Sequence, residues 1–240
     1  MPYPVTSKAF DLTLLDDHFL GASLNPAIAG TSENSGTAAI VVAQRGGVGG
    51  LVTGTSSGNR SAFTTGLNYL VSDGSVVVQW RVKNVTAVTT RALFVGLSDT
   101  VSLENPIEIS GTTFTSNATD AVGFVYDTDA TTDVWYTAGV NTDSDKGGTA
   151  VTINGSTVAP TADVYENFRI EVNPEGDATL YYGKDNGDQT VQGWQQVAFI
   201  ENAVASTALL TPYCLIETRT TAAATAYVDS LLITGGMELD

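Results

Sequence analysis

The stretch 165–183, YENFRIEVNPEGDATLYYG, sets the pattern for the whole chain. Phe168, Ile170 and Val172 alternate with polar residues, Asn173-Pro174-Glu175-Gly176-Asp177 is a cluster of turn formers, and a second alternating run covers 178–182. Successive side chains of a strand point to opposite faces, so alternation, turn and alternation predict a β-hairpin. The run 76–84 repeats the pattern, with Val76, Val78, Trp80 and Val82 on one face and Gln79, Arg81 and Lys83 on the other. Further strands are predicted over 12–19, 38–44, 51–54, 91–97, 121–126, 134–140, 151–153, 194–199, 213–218 and 225–234. A single helical segment is predicted at 201–210. About a dozen short strands joined by turns predict an all-β, two-sheet antiparallel sandwich. Pro2 and Pro4 make residues 1–10 read as an N-terminal arm, and 11–240 as one domain.

A chain of 240 residues is long enough to bury a substantial core as one all-β domain. Ten basic residues against 26 acidic ones give a net charge of -16, and the basic residues form no stripe. A polyanion needs clustered Lys and Arg, so neither nucleic acid nor an anionic membrane surface is an expected partner. Cys214 is the sole cysteine, which excludes an internal disulfide, and its apolar surroundings make it a core residue. The first residues lack the basic start and apolar block of a secretion signal, and no apolar run reaches the ~20 residues of a membrane helix. Synthesis in a cytoplasm without common export is the expectation.

Local patterns with chemical content are few. The loop Arg45-Gly46-Gly47-Val48-Gly49-Gly50 has no helix after it and no Lys-Ser/Thr at its end, so it reads as a turn and not as a phosphate cradle. Asp127, Asp129 and Asp133 in one run, and Asn141, Asp143 and Asp145 in another, have partial ligand spacing for calcium, which wants six to eight oxygens. The bland reading is a pair of solvated acidic turns. No other cofactor motif is present. His18 is the only histidine, so any Ser-His-Asp or Cys-His site must use it. It precedes the one elbow-like sequence, Gly54-Thr55-Ser56-Ser57-Gly58, in the wrong order, and the following NRSAFTTG reads as loop.

Three segments resemble the concanavalin A-like lectin/glucanase superfamily in its laminin-G-like and phage-structural branches. They are VVVQWRV followed by LFVGL, NFRIEV through YYG, and LTPY followed by AYVDSLLI. The resemblance implies a jelly-roll sandwich whose last strand returns beside the first. Glucanases of this superfamily carry Glu-x-Asp-x-x-Glu on one strand, and the nearest match here, Glu175-Gly176-Asp177-Ala178-Thr179-Leu180, has leucine at the acid position and begins in a turn. The catalytic residues do not carry over, and the chain reads as a non-enzyme. For a lectin, Trp135, Tyr136 and Trp194 are candidate sugar-stacking aromatics, with burial in the core as their alternative fate. The phage branch implies a virion structural protein, foremost a bacteriophage capsid decoration (cement) protein on the outer surface of the capsid. Its partners would be capsid or other virion proteins and copies of itself, as a homo-oligomer, a trimer suiting local threefold positions. Met1, Pro2, Tyr3, Pro4 and Val5 of the arm are then candidate partner-binding residues. Glycan-binding attachment is the alternative function.

Overall fold

A computed structural model describes residues 10–41, 47–66, 69–184 and 193–237. In chain order its strands are β1 Phe10–Asp17, β2 Ala29–Ser32, β3 Thr37–Ile40, β4 Gly49–Val52, β5 Arg60–Thr64, β6 Tyr69–Leu70 and β7 Val76–Asn84. Then come β8 Arg91–Ser98, β9 Ile107–Ser110, β10 Thr113–Ser116, β11 Ala121–Asp127, β12 Tyr136–Asn141, β13 Ser144–Ala150, β14 Thr152–Ile153 and β15 Ser156–Thr157. The last are β16 Tyr165–Val172, β17 Ala178–Lys184, β18 Gln195–Ile200, β19 Leu209–Thr218 and β20 Thr225–Met237. Two sheets of 8 strands form a sandwich. The first runs β18-β17-β16-β7-β20-β4-β3, with β1 also paired to β20, and the second runs β13-β12-β11-β8-β19-β5-β2, with β6 also paired to β19. The first and last strands therefore lie side by side, as the jelly-roll expectation requires.

The inner faces carry the alternating residues read from the sequence. Val76, Val78, Trp80 and Val82 of β7 meet Leu93, Val95, Val122, Phe124 and Tyr126 of the second sheet in one buried core. The hairpin of β16 and β17 has Phe168 opposite Tyr182 and Ile170 opposite Leu180. At its turn Gly176 has φ +91°, and a Cβ there would lie 2.2 Å from Val204 O, so both the backbone and the space demand glycine.

The strands expected over 91–97 and 121–126 form as β8 and β11, although neither alternates. In β8 and β11 every residue is buried. The outer face of their sheet is covered in turn by the β9–β10 hairpin, whose Ile107 and Ile109 pack with Phe94, Val125, Tyr213 and Leu215 in a second core. A strand buried on both faces loses its polar half. The same cause hides β5, expected as loop, where small residues flank Phe63. No helix forms over 201–210: Ala208 N donates to Ala205 O in a turn, and β19 begins at Leu209. A 3-10 turn, Val71–Asp73, stands at the predicted turn before β7. Gly49 and Gly50 of the glycine-rich loop belong to β4, while residues 45 and 46 lie outside the described residues. The candidate arm residues Met1, Pro2, Tyr3, Pro4 and Val5 also lie outside them.

Candidate functional site

The most developed pocket is at one end of the sandwich, where the β14–β15 hairpin faces β17 and the start of β18. It encloses about 310 Å³, and its walls include Ile153, Ser156, Thr157, Tyr182, Lys184 and Gln195. Inner-facing residues of β17 alternate, so Leu180 and Tyr182 enter the core and Lys184, two further on, emerges at the pocket. Ile153 and Val158 pack on the core from the other wall. Trp194 sits between the wall residues Gly193 and Gln195 and is 37% exposed. Apolar patches, hydroxyls, an amide and an ammonium are thus gathered at one place, with an exposed tryptophan next to it in the chain.

Beneath the pocket lies a buried acid that the sequence reading did not single out. Glu166 of β16 is 1% exposed. Its Oε1 accepts hydrogen bonds from Tyr182 Oη at 2.6 Å and Trp135 Nε1 at 3.2 Å. Burial pushes its pKa up to about 7, against the pull of those bonds, of the Lys184 charge and of a Thr161 backbone hydrogen bond. The register places Lys184 directly opposite Glu166, yet the ammonium donates to Thr161 Oγ1 at 2.5 Å. The signal in the sequence was an acid in phase with the core residues Phe168 and Ile170.

The aromatic candidates separate. Trp135 is fully buried against Phe168 and Tyr126, with its indole N–H engaged by Glu166, so it is a core anchor and not a stacking platform. Tyr136 is half-buried, packs edge-on against Phe114 and donates through its hydroxyl to Thr132 O. Trp194 is exposed and is flanked in the chain by the pocket-wall residues Gly193 and Gln195, without itself belonging to the described wall. A shallower recess of about 130 Å³ lies near Val77, Glu171 and Phe199, which is 60% exposed.

The two acidic runs do not come together. Asp127 ends β11, whereas Asn141 ends the antiparallel β12 and opens a tight turn through Thr142 and Asp143, at φ 51° and 59°, into β13. By the β11–β12 register about seven residues of strand, roughly 23 Å, separate them. Among the described residues no group of three or more His, Cys, Asp or Glu is placed to hold a metal. Asn141 donates to Asn202 O, and Asp145 lies in β13 opposite Val140. Asp127 instead meets a cation built into the chain: Arg219 binds it through Nε at 3.1 Å and through Nη2, and binds Asp129 at 3.3 Å. Asp133 lies in the loop before β12.

Arg219 also joins Asp127 to Glu217, through Nη1, and Glu217 accepts Arg60 Nε at 2.9 Å. The register explains this row: Glu217 and Asp127 both lie opposite Ala92, one on each side, and the small alanine leaves room for the guanidinium. Burial raises the Glu217 pKa, with Arg219 and Arg60 opposing. A glycosidase needs two carboxyls free to reach one bond. Here both are engaged by arginine, and Ile109 N of the covering hairpin donates to Asp127 as well. Glu175 is exposed in the β16–β17 turn; Asp177 closes that turn by donating its N–H to Asn173 Oδ1 at 2.8 Å, and its carboxylate accepts Asn202 N at 2.8 Å. His18 follows β1, 3.3 Å from Asp16, and Cys214 is in the core. The segment after Ser56 is β5, with no helix following the elbow-like sequence.

No family model matches the chain, and no curated protein matches its sequence. Solved structures match its fold. A protein of unknown function from Shewanella oneidensis MR-1 superposes with a TM-score of 0.57 at 14% identity, over 92% of this chain and 85% of the other. The lectin UEA-II complexed with galactose gives 0.55 at 12% identity, over 94% and 100%. The exoplasmic/lumenal domain of VIP36 in its Ca²⁺/Man₃GlcNAc-bound form gives 0.54 at 10% identity, over 91% of each chain. The fold is concanavalin A-like. Two of these three neighbours are lectin domains, of the legume and L types. The capsid-decoration expectation gains no support from them.

Proposed function

We propose that this chain is a carbohydrate-binding module that holds a saccharide without cleaving it. The observation that carries the reading is the end pocket of about 310 Å³, walled by hydroxyl and amide side chains beside the exposed Trp194, on a sandwich shared with lectins. Sugars present an apolar ring face and a rim of hydroxyls, and an indole with convergent polar groups matches both. Binding fits better than hydrolysis because, among the described residues, the pocket walls include no carboxylate, and Glu166 behind them is buried and held by Tyr182 and Trp135.

A glycan array followed by calorimetric titration tests the proposal. At least one sugar class is expected to bind. Trp194→Ala is expected to weaken that binding roughly tenfold, the value of a lost stacking contact, and Gln195→Ala to weaken it less. Full binding by the Trp194→Ala protein would move the site elsewhere, and silence across the array would end the carbohydrate reading. The finer expectation, attachment to capsid or virion proteins, has no residue in the described structure arguing for it.

A further inference from the structure

The chain is strongly acidic, and four of its eight described cations are engaged by its own carboxylates. Arg60 pairs with Glu217 and Glu108, Arg81 with Asp229, Arg169 with Glu171, and Arg219 with Asp127 and Glu217. Among the described residues Lys83, Arg91, Lys146 and Lys184 stand outside these pairs, and of the described pocket wall Lys184 is the one charged side chain. Its cross-strand neighbour Glu166 is held instead by Tyr182 and Trp135. An ammonium has three protons to donate, and Thr161 Oγ1 takes one. Ser156, Thr157 and Gln195 add further donors around the same space.

We infer that this pocket takes an acidic saccharide, one bearing a carboxylate, with Lys184 as the group that recognises its charge. The inference rests on the carbohydrate reading above and specifies its ligand class. A carboxylate brought to Lys184 forms an ion pair of the kind that Arg60, Arg81, Arg169 and Arg219 already have. Elsewhere the net charge of -16 repels such a ligand, so a pocket whose described wall carries a lysine and no acid is where it can be held.

The geometry adds a signature. The titratable groups around Glu166 are Tyr182 and Lys184 on β17 and Tyr126 on β11, while its partner on β7 is the apolar Val82. Tyr182 and Tyr126 are both raised by burial and stay neutral near pH 7. Glu166, poised at about 7, and the ligand carboxylate therefore share one ammonium. When the ligand binds, Glu166 takes up a proton. Affinity for an acidic sugar rises as pH falls from 8 to 6, by up to about tenfold, while affinity for a neutral sugar does not.

The test is an array of uronate- and sialic-acid-terminated glycans beside their neutral parents, followed by titration of the best acidic glycan and its parent at pH 6 and pH 8. Expected are preference for the acidic glycan by about tenfold or more, loss of that preference in Lys184→Gln, and loss of the pH response in Glu166→Gln. Lys184 is at the pocket mouth, so Lys184→Gln is expected to fold, which circular dichroism verifies. Equal binding of acidic and neutral glycans overturns the inference and leaves the carbohydrate reading standing. Binding of neither overturns both. Preference that survives Lys184→Gln removes Lys184 from recognition, and a flat pH response in the unaltered protein removes the coupling to Glu166.

Discussion

Arg219→Ala is expected to destabilise the protein by about 3–5 kcal/mol, because it strips the partner from buried charge. Asp127 is 0% exposed and Glu217 1%, and the Arg219 guanidinium touches both. The two carboxylates do not suffer equally. Glu217 keeps Arg60 at 2.9 Å, whereas Asp127 retains only the backbone N–H groups of Asp129 and Ile109. Burial works against the guanidinium charge, and the surrounding carboxylates outweigh it, so the Arg219 pKa is raised and the charge persists through the accessible pH range. Urea unfolding at pH 7 measures the loss. Arg219→Lys is expected to recover only part of it, since a single ammonium cannot reproduce the fork on Asp127 together with the arm to Glu217. A companion variant, Asp127→Asn in the Arg219→Ala background, is expected to return part of the loss by removing the orphaned charge. A loss below about 1 kcal/mol for Arg219→Ala would place the row among solvent-screened surface pairs.

This row also marks how far sequence reading reaches. Asp127 and Asp129 stood out as candidate cation ligands, and they do meet a cation, but it is the side chain of a residue 92 positions away, which spacing cannot reveal. Val76 to Asn84 and the hairpin of β16 and β17 were legible because each keeps one face in the core and one outside, so the period of two survives in the residues. The strands of the other sheet were legible as apolar runs or not at all, because the β9–β10 hairpin covers their outer face. That hairpin is itself short and half-exposed, with a pattern that resembles loop. Trp135 and Trp194 illustrate the limit for the site. Both are tryptophans beside polar turns in the sequence, and only the sandwich decides that Glu166 captures the first inside while the second stays exposed. The pocket joins residues from 153 to 195 through two hairpins, and no local motif announces such a set.

Relative to its effect below pH 4.5, Glu166→Gln is expected to make the protein more stable at pH 8 by about 3 kcal/mol. In the unfolded chain the carboxyl titrates at its ordinary value of 4.5, and in the fold at about 7. A folded pKa above the unfolded one means that the native state holds the proton more tightly. The proton-linked stability is fully present below pH 4.5 and is lost as pH climbs through 7. Above 7 the native state carries an ionised carboxylate at 1% exposure, with no ion pair to Lys184 to offset its desolvation. The amide stands in for the protonated acid in part: its carbonyl still accepts Tyr182 Oη and Trp135 Nε1, whereas its NH₂ cannot accept the Thr161 N–H, an offset that is the same at every pH and leaves the pH dependence of the difference intact. Burial raises the Glu217 pKa too and adds a slope of the same sign to both proteins, so the difference between variant and unaltered protein isolates Glu166. Urea midpoints at pH 5 and pH 8 are the measurement, and the gap is expected to widen by about 2–3 kcal/mol across that interval. Parallel stability curves would mean that Glu166 titrates in the fold as it does in the open chain. The buried acid beneath the pocket would then be an ordinary carboxylate, and the proton uptake assigned to ligand binding would lose its source.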